Sequence, residues 1–174
     1  GTKFGDFGKK YWDKALPGGA WSALDGKPTA RPVDARFAQD GTFLYVRLTE
    51  RLEPGSLRID PAIFGGDNWD LLAAPKRSEP YRQLAVNPAG ASVALAYGEA
   101  GTVWDSGAAV RSETNAAGWT VRLALPLDRL APGGVKPGQT VYLNLLRGGA
   151  QLLAWSPTFE GGFHVLDRLG ELVF

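Results

Sequence analysis

From Thr42 to Glu50 the chain alternates, with Leu44, Val46 and Leu48 on one side of an extended backbone and Phe43, Tyr45 and Arg47 on the other. Trp119–Leu127 alternates more cleanly still, setting Trp119, Val121, Leu123 and Leu125 against Thr120, Arg122 and Ala124. Period-two patterning of this kind predicts strands with one buried face. Shorter runs at Arg31–Phe37, Leu57–Ile59, Trp69–Ala74, Tyr81–Asn87, Ser92–Tyr97, Val103–Ser106, Ala109–Thr114, Thr140–Arg147, Gln151–Trp155 and Glu171–Phe174 predict further strands. Turn chemistry separates them: Asp40-Gly41, Pro54-Gly55, Asn87-Pro88-Ala89-Gly90, Asn115–Gly118 and Gly148-Gly149. Leu127–Leu130 reads as a single helical turn, and no segment sustains a 3.6-residue apolar period over a helix's length. Short runs punctuated by 23 Gly and 12 Pro point to an all-β fold, a two-sheet antiparallel β-sandwich of the immunoglobulin or jelly-roll kind. It is read as one domain over residues 1–174, with Gly1–Gly26 as an irregular lead-in holding Phe4, Phe7, Tyr11, Trp12 and Trp21.

The stretch Ile59–Gly90 carries the least structural residues. On Tyr81–Asn87, Leu84 and Val86 make an apolar face while Tyr81, Gln83 and Asn87 share the other. An aromatic and two amides on one face suit a surface that meets a polar ligand with flat apolar parts, such as a sugar. Just ahead lie Phe64 beside Gly65-Gly66, then Asp67, Trp69 and Asp70. Near the other end, Phe163 follows Gly161-Gly162 and precedes His164. Glycine-flanked loop rings of this kind either plug a sandwich end or stand exposed as two flat walls. His164 is either a hydrogen-bonding loop residue or a rim contact. Trp119 and Trp155 read as core, Trp69 and Trp104 as core or rim, and Asn144 and Arg147 as members of a buried hydrogen-bond network.

Composition then narrows the chemistry. Hydrophobic residues at 44% and charged residues at 21% are globular values. A net charge of +1 without a basic block lacks the footprint of a nucleic-acid binder, and no apolar run is long enough to span a bilayer. The chain begins with glycine, has no Met and opens without an apolar signal region, so it is expected to be a piece excised from a larger protein. Without Cys, disulfides, thiolate zinc sites and cysteine nucleophiles are absent. A single His excludes a multi-histidine zinc site and bis-His haem, and the lack of Met excludes Met/His haem. Catalysis would need two carboxylates from Asp60, Asp67, Asp70, Asp105 and Glu160, one with a raised pKa. Asp60 and Asp67 are also candidate ligands for a structural calcium, although the spacing matches no EF-hand loop.

Seven segments in order resemble family 9 carbohydrate-binding modules: TARPVDARFAQDGTFLYV (Thr29–Val46), GDNWDLLAAP (Gly66–Pro75), YRQLAVNPAG (Tyr81–Gly90), GWTVRLALPLDRL (Gly118–Leu130), NLLR (Asn144–Arg147), AWSP (Ala154–Pro157) and GFHVLDRLGELVF (Gly162–Phe174). The resemblance implies a sandwich that binds a sugar or glycan chain end without catalysis. It further implies covalent attachment to a glycoside hydrolase and an extracellular or periplasmic location. The family's two sugar-clamping tryptophans would fall on Phe64 and Phe163, and its polar contacts on Asp70, Gln83 and Asn87. Trp69 and His164 are added as candidate contacts. Three departures stand out: Phe for both tryptophans, Asp70 for a glutamate, and Ala85 for an arginine. No cofactor is required on this reading beyond the candidate calcium. The alternative is a structural or interaction module of a larger secreted enzyme that keeps the fold without a working sugar site.

Overall fold

The structure, a computed structural model, describes Trp12 and residues 14–31, 33–53 and 55–174. Phe4, Phe7, Tyr11 and Pro54 lie outside the described residues.

Among the described residues twelve strands form: β1 (Leu16–Pro17), β2 (Ser22–Ala23), β3 (Val33–Gln39), β4 (Phe43–Glu50), β5 (Asn68–Ala74), β6 (Tyr81–Val86), β7 (Ser92–Tyr97), β8 (Ala109–Asn115), β9 (Gly118–Pro126), β10 (Thr140–Gly148), β11 (Leu153–Ala154) and β12 (Gly170–Val173). They build two antiparallel sheets, one ordered β1-β3-β4-β9-β8 and the other β2-β11-β10-β5-β6-β7, with β12 also on β10. This is the expected β-sandwich. The alternation read from β4 and β9 holds: Leu44, Val46, Leu48, Val121, Leu123 and Leu125 point inward. They meet Trp69, Leu71, Leu84, Val86, Leu143 and Leu145 of the second sheet. Each such side chain contributes about 1.5–3 kcal/mol relative to exposure.

The turns follow their chemistry. Asp40 Oδ1 accepts from the backbone N–H groups of Thr42 (2.9 Å) and Phe43 (2.8 Å), which closes the β3–β4 hairpin. Gly41 sits there at φ +81°, a conformation that side-chain-bearing residues resist.

Several expected elements shrink. Leu57–Ile59 is not a strand, because Arg58 pairs locally with Asp67 instead of joining a ladder. Val103–Ser106 reduces to one bridge from Val103 to Leu95, and Gln151–Trp155 to the two residues of β11. Leu127–Leu130 is a turn closed by Arg129 N–H on Pro126 O, not a helix. Two 3-10 turns went unforeseen, Ile63–Gly65 and Leu166–Arg168.

Every residue of β5 is buried. The reason is a second apolar layer on the outer face of its sheet, where Leu72, Ala74, Tyr81, Leu146 and Ala154 pack with Leu24 and Leu169. The segment between β11 and β12 lies over this face, adding Phe163 and Leu166.

Candidate functional site

One wall of the site is the loop between Arg58 and Asp67. Its base is closed twice, by Asp67 N–H on Arg58 O (2.8 Å) and by Arg58 N–H on Asp67 Oδ2 (2.6 Å). Inside it, Asp60 Oδ1 accepts from Ala62 N–H (2.9 Å), and Asn68 Nδ2 donates to Gly66 O (3.1 Å) and Ile63 O (3.3 Å). A Cβ on Gly65 would lie 2.8 Å from the Asp60 carboxylate, and one on Gly66 would lie 2.6 Å from Arg58 O. The glycine pair therefore lets the loop fold flat on itself and hold Phe64 outward, 54% exposed.

The other wall belongs to the segment after β11. Asn144, on the outer face of β10, clamps it from below: its Nδ2 donates to Ser156 O (2.8 Å), and its Oδ1 accepts from Ser156 N–H (2.9 Å). Ser156 Oγ donates to Arg168 O (2.6 Å), which draws the far end of the segment back. Phe163 rests half-buried on the outer apolar layer. Between the walls is a cleft of about 450 Å³ lined by Phe64, Phe163, Arg58, Asn68, Asp70 and Leu152, among others.

Its floor is polar and only partly satisfied. Asp70 Oδ1 accepts from Gln83 Nε2 (2.6 Å), and Gln83 Oε1 in turn accepts from the Tyr97 hydroxyl (2.7 Å). Asp70 Oδ2 and Asn68 Oδ1 are both buried without a hydrogen-bond partner. Ala85 stands directly opposite Asp70 on β6, so no cation comes from that position. Burial pushes the Asp70 carboxyl up to about 7, against the lowering effect of the Gln83 hydrogen bond. Beside this, Tyr81 and Tyr97 stack at 4.5 Å with near-parallel rings, and His164 sets its edge on both. His164 Nδ1 shares a hydrogen bond with the Tyr81 hydroxyl at 2.9 Å, and burial holds the imidazole below its ordinary pKa.

Of the residues singled out from sequence, the structure brings Phe64, Asp67, Asp70 and Phe163 to one cleft. Trp69 is not at the cleft surface: it is 1% exposed, packed between Trp21 (5.4 Å) and Trp119 (5.6 Å), because β5 turns that position inward. Gln83 reaches the cleft through Asp70 and does not line it. Asn87 is consumed by its turn, accepting from Ala91 N–H (3.0 Å) and donating to Asp60 O (3.3 Å). His164 is the hydrogen-bonding loop residue of the two readings, placed on the tyrosine pair.

Asp60 and Asp67 do not fit a calcium site. Asp67 Oδ1 is held by Arg147 (2.7 Å) and its Oδ2 by Arg58 N–H, while Asp60 faces Ala62 N–H and the Arg58 guanidinium. No group of three or more candidate metal ligands converges among the described residues. The predicted network at Arg147 is present, bridging Glu50 of β4 (2.7 Å) to Asp67. Sequence reasoning missed Arg58, Asn68 and Leu152, whose neighbours in sequence gave no sign that they would flank the same space.

No protein-family model and no curated protein matches the chain. Solved structures do. A family 9 carbohydrate-binding module from Caldicellulosiruptor kristjanssonii in complex with cellotriose superposes at a TM-score of 0.66 and 14% identity, covering 92% of this chain and 82% of that one. The same kind of module from that organism in complex with glucose gives 0.65 and 12%, covering 92% and 84%. A protein from Bacteroides uniformis, described as a candidate carbohydrate-binding protein, gives 0.72 and 15%, covering 92% and 86%. At such identities the likeness is one of fold, and the chain has the fold that its sequence resemblance implied.

Proposed function

We propose that this chain is a non-catalytic carbohydrate-binding module that takes a sugar, or the end of a glycan chain, between Phe64 and Phe163. The observation that carries the reading is the pairing of two rings at the cleft walls with two unpartnered buried acceptors, Asp70 Oδ2 and Asn68 Oδ1, on its floor. Sugars present C–H faces to aromatic rings and hydroxyl donors at their edges. An unpaired buried acceptor costs about 1–3 kcal/mol, which a sugar hydroxyl would return on binding. Arg58 adds a forked donor at the mouth. Like the Caldicellulosiruptor modules, this one would accept glucose-type ligands, with phenyl rings offering less stacking area than indoles.

Binding without turnover is supported by the state of the second acid. Asp67 also lines the cleft, yet both its oxygens are occupied by Arg58 N–H and Arg147, which argues against it as a nucleophile or base beside Asp70. Attachment to a glycoside hydrolase and an extracellular or periplasmic location belong to the same proposal.

The test is a titration with glucose, cellotriose and a mixed oligosaccharide pool, read by amide NMR shifts. Binding should map to Phe64, Asn68, Asp70 and Phe163. A Phe64→Ala, Phe163→Ala double variant should lose at least about tenfold in affinity, equal to ~1.4 kcal/mol. Unchanged binding in that variant would refute the site.

A further inference from the structure

Hydrogen-bond roles on the cleft floor all run one way. Asn68 Nδ2 is spent on Gly66 O (3.1 Å) and Ile63 O (3.3 Å), which leaves its Oδ1 as an acceptor without a donor. Asp70 follows two residues later on the same face of β5 and offers Oδ2 in the same state. The neighbouring strands bring these oxygens no donor side chain. Gly148 stands opposite Asn68 on β10, while Leu146 of β10 and Ala85 of β6 flank Asp70.

The charges around the cleft pair off, with one exception. Arg147 holds Asp67 Oδ1 (2.7 Å), and the guanidinium of Arg58, out at the mouth, lies 3.5 Å from Asp60. Asp70 has behind it only the neutral Gln83 amide, which in turn takes the Tyr97 hydroxyl. Among the described residues, Asp70 is therefore the acid of this cleft that has no cation, and it is 1% exposed.

Donor counts then discriminate between ligands. A hydroxyl carries one donor and two lone pairs, whereas an ammonium carries three donors and no lone pair to satisfy. A floor made of acceptors meets the hydroxyl in part and the ammonium in full. We propose that the cleft selects a protonated amino sugar, its ammonium on Asp70 Oδ2 and a neighbouring hydroxyl on Asn68 Oδ1. This rests on the sugar-binding reading of the Phe64–Phe163 cleft and names the class of sugar that the cleft prefers. Charge-assisted hydrogen bonds are roughly twice as strong as neutral ones, and this one forms where water is excluded. A bound cation also favours the ionised carboxylate, which burial opposes by raising its pKa to about 7. The two phenyl rings of the walls attract a cation through their π clouds and still receive the sugar's C–H groups.

Glucosamine, N-acetylglucosamine, glucose and ethylammonium would each be titrated against the intact chain at neutral pH, read by amide NMR shifts. Glucosamine should bind at least about tenfold more tightly than glucose or its own N-acetyl form, which keeps the ring and loses the charge. Ethylammonium, which keeps the charge and loses the ring, should be weaker than glucosamine by a similar factor. Asp70→Asn preserves the side chain's shape without its charge, and in that variant the ratio of glucosamine to glucose affinity should fall to about one. Glucose binding at the cleft with no preference for the amine would overturn this inference and leave the sugar site standing. Failure of every sugar to bind would overturn both. Equal binding of ethylammonium and glucosamine, or a preference that survives in Asp70→Asn, would also overturn it.

Discussion

Gln83 Nε2 donates to Asp70 Oδ1 at 2.6 Å across the β5–β6 pair, leaving the other oxygen of that buried carboxylate without a donor. The arrangement orients one acceptor and leaves its neighbour unsatisfied at the floor of a cleft. With alanine opposite it, desolvation dominates, and the carboxyl titrates near 7 rather than near 3.8.

Stability should therefore depend on pH in a definite direction. A carboxyl whose folded pKa is raised contributes its stability below the unfolded value, and loses it as pH climbs to the folded one. Between pH 3.8 and about 7 the wild type should lose a few kcal/mol through this group. Urea unfolding of wild type and Asp70→Asn across that range measures it; the difference between the two should grow with pH and then level off. Parallel curves would show that Asp70 does not titrate as described.

Sugar binding should move the other way. A hydroxyl donating to Asp70 Oδ2 favours the ionised form, so affinity should rise as pH climbs to about 7. The rise should lie below about pH 7 and level off above it, calorimetric titration at several pH values checks this, and the rise should vanish in Asp70→Asn.

Arg147 holds the two sheets together at one end, with Glu50 and Asp67 as partners and the faces of Trp69 (5.5 Å) and Trp119 (5.0 Å) beside it. Arg147→Met leaves buried Asp67 without its cation and Glu50 with Arg31 alone, and should cost about 3–5 kcal/mol in chemical denaturation. Adding Glu50→Gln and Asp67→Asn should recover part of that loss, since neutral amides are cheaper to bury unpaired.

Asn144 offers a way to disturb the site without touching it. Asn144→Ala removes both hydrogen bonds to Ser156 and should cost about 1–3 kcal/mol. Amide exchange should quicken around Ser156–His164, and sugar affinity should fall through looser placement of Phe163. Faster exchange with unchanged affinity would mean that this wall does not contact the sugar.

Much of the architecture was legible because a strand's period of two is a local property. In β4 and β9 it sorted Leu44, Val46, Leu48, Val121, Leu123 and Leu125 into the core without reference to any partner. The same rule could not show that the outer face of β5, β6 and β10 is covered, where Leu72, Tyr81 and Leu146 pack under Leu24 and the segment carrying Phe163, Leu166 and Leu169. It also left Trp69 undecided, although its inward position follows once its neighbours Asn68 and Asp70 are seen to face out.

By itself the sequence determined strand phase, turn positions and the two glycine-flanked phenylalanines, because each rests on backbone geometry within a few residues. Tertiary structure alone decided that Asp70 would meet Gln83, that Arg147 would reach Glu50 from the opposite sheet, and that Phe64 and Phe163 would border one space. Those meetings join residues far apart in the chain, and their electrostatics depend on how much water the fold excludes, a quantity no local pattern encodes.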